Sequence, residues 1–305
     1  MDMSSTRTAF IALVGKPNAG KSSLLNRLVG EKVAIVTQKP QTTRTRITGV
    51  LTKGETQLVF IDTPGLLKAK DALGRYMVKQ VKDSVADVDL AVLVTEPGPE
   101  LSKADMELVE NFRKLRLPAV AVVNKVDTVE QKETLLPKLA ALGAAYDFSH
   151  IVPISALTGE GVEELLSILL ESAQEGVHFF PDDALTDQPE RVICAELIRE
   201  KLLTHLREEV PHGVAVVVEE MKDRPAESCR DGGPITDISA MIYCERDGHK
   251  GMIIGKGGQM LKAIASEARQ DMESFLGVRV NLQCRVKTRE AWKSSEFQLR
   301  NLGFR

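Results

Sequence analysis

The octet Gly15-Lys16-Pro17-Asn18-Ala19-Gly20-Lys21-Ser22 fits G-x-x-x-x-G-K-[ST], and it lies between an apolar run and a helix-forming stretch, the setting this pattern requires. The glycines let backbone N–H groups curl around phosphates, a helix starting near Lys21 aims its positive end at them, and the Lys21 ammonium reaches the outer phosphates. Ser22 offers a hydroxyl to Mg²⁺, with Ser23 beside it on the phosphate-binding turn. Such a loop takes ATP or GTP, so the base must be read elsewhere. Asn124-Lys125-Val126-Asp127 is that reader: the Asp127 carboxylate accepts from guanine N1–H and N2–H₂, a donor pair that adenine lacks. Lys125 lies along the base plane, and Ser155-Ala156-Leu157 offers a backbone N–H to guanine O6.

Between these segments stands Asp62-Thr63-Pro64-Gly65, a D-x-x-G whose carboxylate belongs near Mg²⁺ and whose glycine N–H meets the γ-phosphate. Upstream, residues 40–46 (P-Q-T-T-R-T-R) form a polar segment where the other mobile loop of a nucleotide switch belongs. Thr43 is the candidate second Mg²⁺ hydroxyl, with Thr42 the alternative. After Gly65 comes Leu66, where small Ras-like GTPases carry the glutamine that orients water. Leucine cannot do that, so slow intrinsic turnover is expected, with charge supplied by a monovalent cation, by Arg44 or Arg46, or by a partner. Asn18 is either a cation-holding carbonyl facing the phosphates or a residue that tolerates the turn.

A second chemistry lies near the C-terminus. Ile253-Ile254-Gly255-Lys256-Gly257-Gly258, followed by an amphipathic helix over 259–275 that carries Lys262, is a G-x-x-G turn of the kind with which KH domains clamp single-stranded nucleic acid. Residues 251–305 hold ten Lys/Arg against five Asp/Glu, and residues 1–250 hold thirty against thirty-eight, so the positive charge gathers at this end. Trp292 and Phe297 either stack bases or pack their helix onto the domain, and His249 is a solvated loop histidine or an RNA contact.

Positioning these groups needs two architectures. Up to about residue 175, apolar runs at 10–14, 47–53, 57–62, 90–95, 119–124 and 151–155 alternate with helical stretches at 21–30, 71–86, 102–115, 134–142 and 162–172, the pattern of a doubly wound α/β domain. Residues 176–189, with two prolines, read as a linker. Residues 190–305 then read as a smaller α+β unit: a helix at 190–209, strands at 214–221 and 235–246, the Gly-rich turn, a helix at 258–276, a strand at 278–287 and a last helix at 289–299. The polar loop 224–233 joins the first two strands. Four cysteines without a C-x-x-C pair exclude a disulfide framework and a zinc knuckle. No signal, transit peptide or apolar run of membrane length is visible, which leads to the expectation of a cytoplasmic protein.

The P-N-A-G-K-S, T-T-R, D-T-P-G, N-K-V-D and S-A-L-T-G-E-G segments, joined to a unit carrying G-K-G-G, closely resemble the Era family of bacterial ribosome-assembly GTPases over nearly the whole chain. The resemblance implies a P-loop G domain followed by a type II KH domain, Mg²⁺-dependent hydrolysis of GTP to GDP, and binding of the 3′ end of 16S rRNA in maturation of the small (30S) ribosomal subunit. It also implies peripheral contact with the inner face of the cell membrane, for which the chain shows no lipid motif. Related GTPases with an asparagine at the place of Asn18 hold K⁺ with it, which favours the cation reading. A monomer is expected. The rival reading is a GTP-sensing RNA-binding factor in RNA modification with little hydrolysis of its own; the chain lacks the C-terminal reactive cysteine of that class. The loop 224–233 looks unusual for the family.

Overall fold

The computed structural model describes residues 6–39, 41–65, 71–207, 210–225 and 233–304. They divide into two compact units, one comprising Met1–Ala34, Thr43–Lys70 and Gly74–Asp187, the other Ile35–Thr42, Asp71–Leu73 and Gln188–Arg305.

In the first unit the strands are β1 (Arg7–Val14), β2 (Ile47–Lys53), β3 (Thr56–Asp62), β4 (Leu90–Thr95), β5 (Ala119–Val123), β6 (Ile151–Pro153) and the short β7 (Gln174–Glu175). Their order is β2-β3-β1-β4-β5-β6, and β7 pairs antiparallel with β1. β3, β1, β4, β5 and β6 run parallel, whereas β2 turns back through Gly54-Glu55 to pair antiparallel with β3. β4 and β5 are buried along their whole length, as central parallel strands covered on both faces must be, and their sequences LAVLVT and AVAVV are accordingly apolar without alternation. The chain lays β2 and β3 on one side of β1 and β4 to β6 on the other, so the carboxyl end of β1 is the switch point where such sheets hold ligands.

The helices are α1 (Lys21–Val29), α2 (Ala72–Ala86), α3 (Lys103–Leu115), α4 (Leu136–Ala145) and α5 (Val162–Glu171). α1 and α5 close one face over Leu24, Leu25, Phe60, Leu165 and Leu169, and α3 helps close the other over Leu93, Leu108, Phe112 and Val123. Full burial of each such side chain contributes about 1.5–3 kcal/mol before conformational entropy is counted. α1 lies so close to β2 that a Cβ at Gly49 would meet Leu25 Cδ1 at 2.5 Å. α3 starts on a capping box in which Asp105 N–H donates to Ser102 Oγ and the Asp105 carboxylate accepts from Ser102 N–H.

The segment 176–187 belongs to this first unit, although its composition reads as a linker. The reason is Gln57, a fully buried amide on β3: its Oε1 accepts from Phe179 N–H (2.8 Å) and Phe180 N–H (3.0 Å), and its Nε2 donates to Phe180 O (2.9 Å). Thr186 Oγ1 adds a bond to Thr48 O at 2.6 Å, and Phe179 meets Phe10 edge to face.

The second unit contains α6 (Glu190–His205), β8 (Ala215–Asp223), β9 (Ile235–Cys244), α7 (Asp247–Ile254), α8 (Gln259–Leu276), β10 (Arg279–Thr288) and α9 (Glu296–Asn301). Its sheet runs β10-β9-β8, with β9 parallel to β10 and antiparallel to β8. Along β9 every second residue is buried, and these residues meet Ile198, Leu202, Ile264, Ala268 and Met272 of α6 and α8. Two expected helices differ. α6 stops at His205 because Leu206 is extended, and the last helix does not begin at 289: Ala291 takes φ 49°, a single 3₁₀ turn follows, and Ser295 then caps α9 through the Gln298 N–H. Trp292 in that turn is buried, donates from Nε1 to Gly213 O at 3.0 Å and stacks on Phe304, so it anchors the C-terminus, whereas Phe297 stays exposed. Of the polar loop 224–233, residues 226–232 lie outside the described residues, as do Pro40 and Leu66. Among the described residues, no helix is long and apolar enough to cross a membrane.

Candidate functional site

The loop between β1 and α1 is shaped by close approaches that only glycine permits. A Cβ at Gly15 would lie 2.2 Å from Val94 O, and one at Gly20 would lie 2.1 Å from Asn124 Nδ2. α1 begins at Lys21 with no side-chain cap, which leaves the N–H groups of its first turn for an anion. Lys21 is 5% exposed, and its Nζ donates to Gly15 O (3.2 Å) and Lys16 O (3.0 Å), arching over the loop. Burial pushes its ammonium down to about 8, against the pull of Asp62 and Asp105.

Beside it, Ser22 Oγ donates to Asp62 Oδ2 at 2.5 Å, and Thr43 Oγ1 lies 2.9 Å from Ser22 Oγ and 3.4 Å from Asp62 Oδ2. Thr42 turns away, its Oγ1 donating to Lys39 O at 2.6 Å, so Thr43 is the threonine brought to this group. Asp62 is fully buried and its carboxyl is pushed up to about 6 by that burial, against Lys21 and the hydroxyl hydrogen bonds. Its Oδ1 is buried with no hydrogen-bond partner. Two hydroxyls converging on a buried carboxylate whose other oxygen is unpartnered fit a Mg²⁺ ion, and both a divalent cation there and phosphate beside Lys21 favour the charged forms that burial opposes. Thr63 Oγ1 donates to Leu13 O at 2.9 Å, and Gly65 runs so near the loop that a Cβ would stand 2.4 Å from Pro17 N.

The base-reading segment is built as a brace as well as a reader. Asn124 Nδ2 donates to Ala19 O (2.8 Å) while its Oδ1 accepts from Ala156 N–H (2.9 Å), tying the phosphate loop, β5 and the loop after β6 together. Of the three residues expected to offer an N–H to guanine O6, Ala156 has its N–H engaged with the Asn124 side chain. Ser155 Oγ donates to Asp127 Oδ1 at 2.5 Å and fixes the carboxylate. Asp127 and Leu157 are exposed. Lys125 sits at φ 68° and donates to Asn18 O at 2.7 Å; Asn18 is itself left-handed, at φ 63°.

Glu96, directly after β4, escaped the motif reading. It pairs with both Lys16 and Lys125, and although burial pushes its carboxyl up, those two ammonium groups together hold it below its ordinary value. It clips the phosphate loop to the base-reading segment. Arg44 is buried, and Arg46, exposed, is near enough to oppose the upward push that burial gives the Tyr76 hydroxyl.

In the second unit, α7 ends where Gly255 takes φ 73°, and Gly257 (φ 59°) and Gly258 (φ 76°) turn the chain into α8, which again lacks a side-chain cap. A Cβ at Gly255 would meet Met260 Cβ at 2.6 Å, whereas Gly257 and Gly258 face open space. Lys256 and Lys262 are exposed beside the turn and Ile254 is half-buried. Ile253, expected at the RNA contact, is fully buried in the core, whereas Met252 is 59% exposed. His249 Nδ1 is enclosed without a hydrogen-bond partner.

A phosphate loop at the switch point, a base reader behind the next strands and a G-x-x-G turn in a separate αββααβ unit define the class: a P-loop guanine-nucleotide domain joined to a KH domain. Family models agree with it, one described as 50S ribosome-binding GTPase matching residues 10–125 and one described as KH domain matching residues 209–293. The chain belongs to the Era family of GTPases. It is 45% identical to the GTPase Era of Clostridioides difficile over 98% of each chain. Among solved structures, an Aquifex aeolicus Era variant bound to GDP·AlF4⁻ has a TM-score of 0.92 at 37% identity, covering 98% of this chain and 99% of that one. Era in complex with MgGDPNP and nucleotides 1506–1542 of 16S ribosomal RNA gives the same TM-score, identity and coverage.

Proposed function

We propose that this chain is a Mg²⁺-dependent, K⁺-assisted GTPase whose nucleotide state times the binding of its KH unit to the 3′ end of 16S rRNA during small-subunit maturation. The observation that carries the GTPase part is the convergence of the Ser22 and Thr43 hydroxyls on the buried Asp62 carboxylate, whose other oxygen is unpartnered. In this reading the N–H groups of residues 15–23 and the Lys21 ammonium hold the phosphates, and the Gly65 N–H meets the terminal one. Ser22, Thr43 and Asp62 would hold Mg²⁺, which supplies positive charge to the outer phosphates. Asp127, braced by Ser155, reads guanine.

In this reading K⁺ would be held by Asn18, an exposed residue with a left-handed backbone in the loop after β1. Single-turnover hydrolysis in potassium is expected to exceed that in sodium by about tenfold or more, the scale of one favourable electrostatic contact in the transition state. Equal rates in the two salts dispose of the cation reading. The RNA part is supported by the exposed G-K-G-G turn and by the relative seen with 16S rRNA nucleotides. RNA crosslinked to protein loaded with a non-hydrolysable GTP analogue should map to the 3′ end of 16S rRNA; recovery of another RNA class in its place rejects this assignment.

A further inference from the structure

Within the first unit, β4 lies between β1 and β5 in the sheet, and all three run parallel. The residues just beyond their carboxyl ends therefore stand in a row, with the one after β4 in the middle. After β1 comes the loop that carries Lys16 and Asn18, after β5 come Asn124 and Lys125, and after β4 comes Glu96. Neighbouring strands are about 4.8 Å apart, so β1 and β5 end about 10 Å from each other, a gap that side chains must bridge. The Glu96 carboxylate is shared across it: Oε2 pairs with the Lys16 ammonium and Oε1 with that of Lys125. The Lys125 ammonium also donates to Asn18 O at 2.7 Å, so it is held from two sides.

Burial pushes the Glu96 carboxyl up, but Lys125 and Lys16 together hold it below its ordinary value, so it carries its charge at neutral pH. Two ammonium groups on one carboxylate attract it and repel each other, and without that carboxylate only the repulsion is left. Neutralising Glu96 thus does more than delete two ion pairs: it drives the loop after β1 and the segment after β5 apart. A lysine stem follows its ammonium, so the place of the Lys125 stem is set by what holds its tip. Where that stem lies along guanine and the loop after β1 cradles the phosphates, one carboxylate joins the holders of both ends of the nucleotide.

We propose that Glu96 is a positioning residue for retention of guanine nucleotide, closing the phosphate loop on the base-reading segment through two ion pairs that must loosen before GDP leaves. This rests on the reading of Lys125 as the side chain beside the base. Release is then slowed by a group that acts through two lysines and not on the nucleotide itself.

The test compares wild type, Glu96→Gln, Glu96→Asp, Lys125→Ala and, as a control, Glu110→Gln, which breaks an exposed ion pair with Arg113 on α3. The full chain is loaded with a ribose-labelled fluorescent GDP and chased with unlabelled GDP; single-turnover hydrolysis of bound GTP and thermal unfolding of the nucleotide-free protein are measured beside it. Glu96→Gln keeps the shape and loses the charge, and it is expected to speed GDP dissociation about three- to thirtyfold, the scale of one or two partly exposed ion pairs. The effect should fall several times more heavily on dissociation than on hydrolysis of bound GTP. A carboxylate one methylene shorter cannot reach both lysines, so Glu96→Asp should fall between. The Glu96 side chain is 24% exposed, so the excess should narrow as sodium chloride is raised at fixed potassium, since salt screens charges and does not replace lost packing. A wild-type dissociation rate in a folded Glu96→Gln overturns the proposal; if that variant does not fold, a wild-type rate in Glu96→Asp overturns it. So does an equal increase in Glu110→Gln, or an excess that salt leaves unchanged. Failure of the underlying reading looks different: Lys125→Ala would itself release GDP at the wild-type rate.

Discussion

Asp127→Asn is expected to weaken GTP binding by about a hundredfold or more and to turn the preference towards xanthosine triphosphate. The carboxylate is set for two donors on the guanine edge, and charge-assisted hydrogen bonds contribute about 1.5–3 kcal/mol each, so losing one of them and weakening the other reaches this scale. An amide in the same place offers one acceptor and one donor. Xanthine carries a carbonyl where guanine carries its amino group, so the new N–H meets an acceptor while the remaining carbonyl still takes the ring N–H. Ser155 Oγ, 2.5 Å from Asp127 Oδ1, holds the side chain in its plane and should hold the amide as well, which makes the exchange a change of chemistry on an unchanged frame. Asp127 is exposed here, so the variant removes no buried ion and should fold as wild type does. Competition against a fluorescent guanine nucleotide checks both parts. A variant that still prefers GTP over xanthosine triphosphate would place the base reader elsewhere.

Most of this site is legible in the sequence because its constraints are local. Gly15 and Gly20 both take a positive φ and have an atom, a backbone carbonyl and a side-chain amide respectively, within 2.2 Å of where a Cβ would be, and a short spacing rule captures that. The sheet is legible because buried parallel strands tolerate no polar alternation, as β4 and β5 illustrate. What stays hidden is what depends on distant partners. A glutamate after a strand announces nothing, and Glu96 gains its meaning only when folding brings it between Lys16 and Lys125. Gln57 looks like an ordinary strand residue until Phe179 and Phe180 close on its amide, which is why 176–187 reads as a linker but packs as part of the first unit. The grouping of 35–42 with α6 rests on Arg199 and Glu200, whose spacing on the helix suggests only a solvated charged face. The break before α9 depends on Ala291 adopting a left-handed backbone, a conformation its side chain does not announce.

These hidden contacts share a direction. Glu96 and Asn124 tie the loop after β1 to the segments after β5 and β6. Thr43, whose hydroxyl lies beside Ser22 and Asp62, follows a stretch that clusters with the second unit. In the proposed function the first part would bind nucleotide and the second would report its state, as suits a timer.

The RNA clamp gives the second large effect. Gly257→Asp is expected to lower affinity for the 3′-terminal 16S rRNA segment by about a hundredfold while leaving GTP hydrolysis in the absence of RNA unchanged. The position suits the experiment because nothing lies within 4 Å of a Cβ placed there, so adding one displaces no protein atom. Its φ of 59° strains most residues, but aspartate and asparagine tolerate the left-handed region better than others do, at a cost of about 1 kcal/mol. What changes is the surface offered to RNA: a carboxylate now stands among the α8 N–H groups and Lys256, where a phosphate would lie, and like charges at that range repel. Gly257→Asn separates the causes, since it carries the same shape and backbone strain without the charge, and it should retain most of the binding that the aspartate loses. Titrations at low and high salt sharpen the comparison, because a deficit caused by charge narrows as the Debye length shrinks, whereas one caused by a misshapen turn does not. If asparagine and aspartate lose affinity equally at both salts, the backbone of the turn and not its charge is what RNA reads; if neither loses any, the G-K-G-G turn is not the clamp.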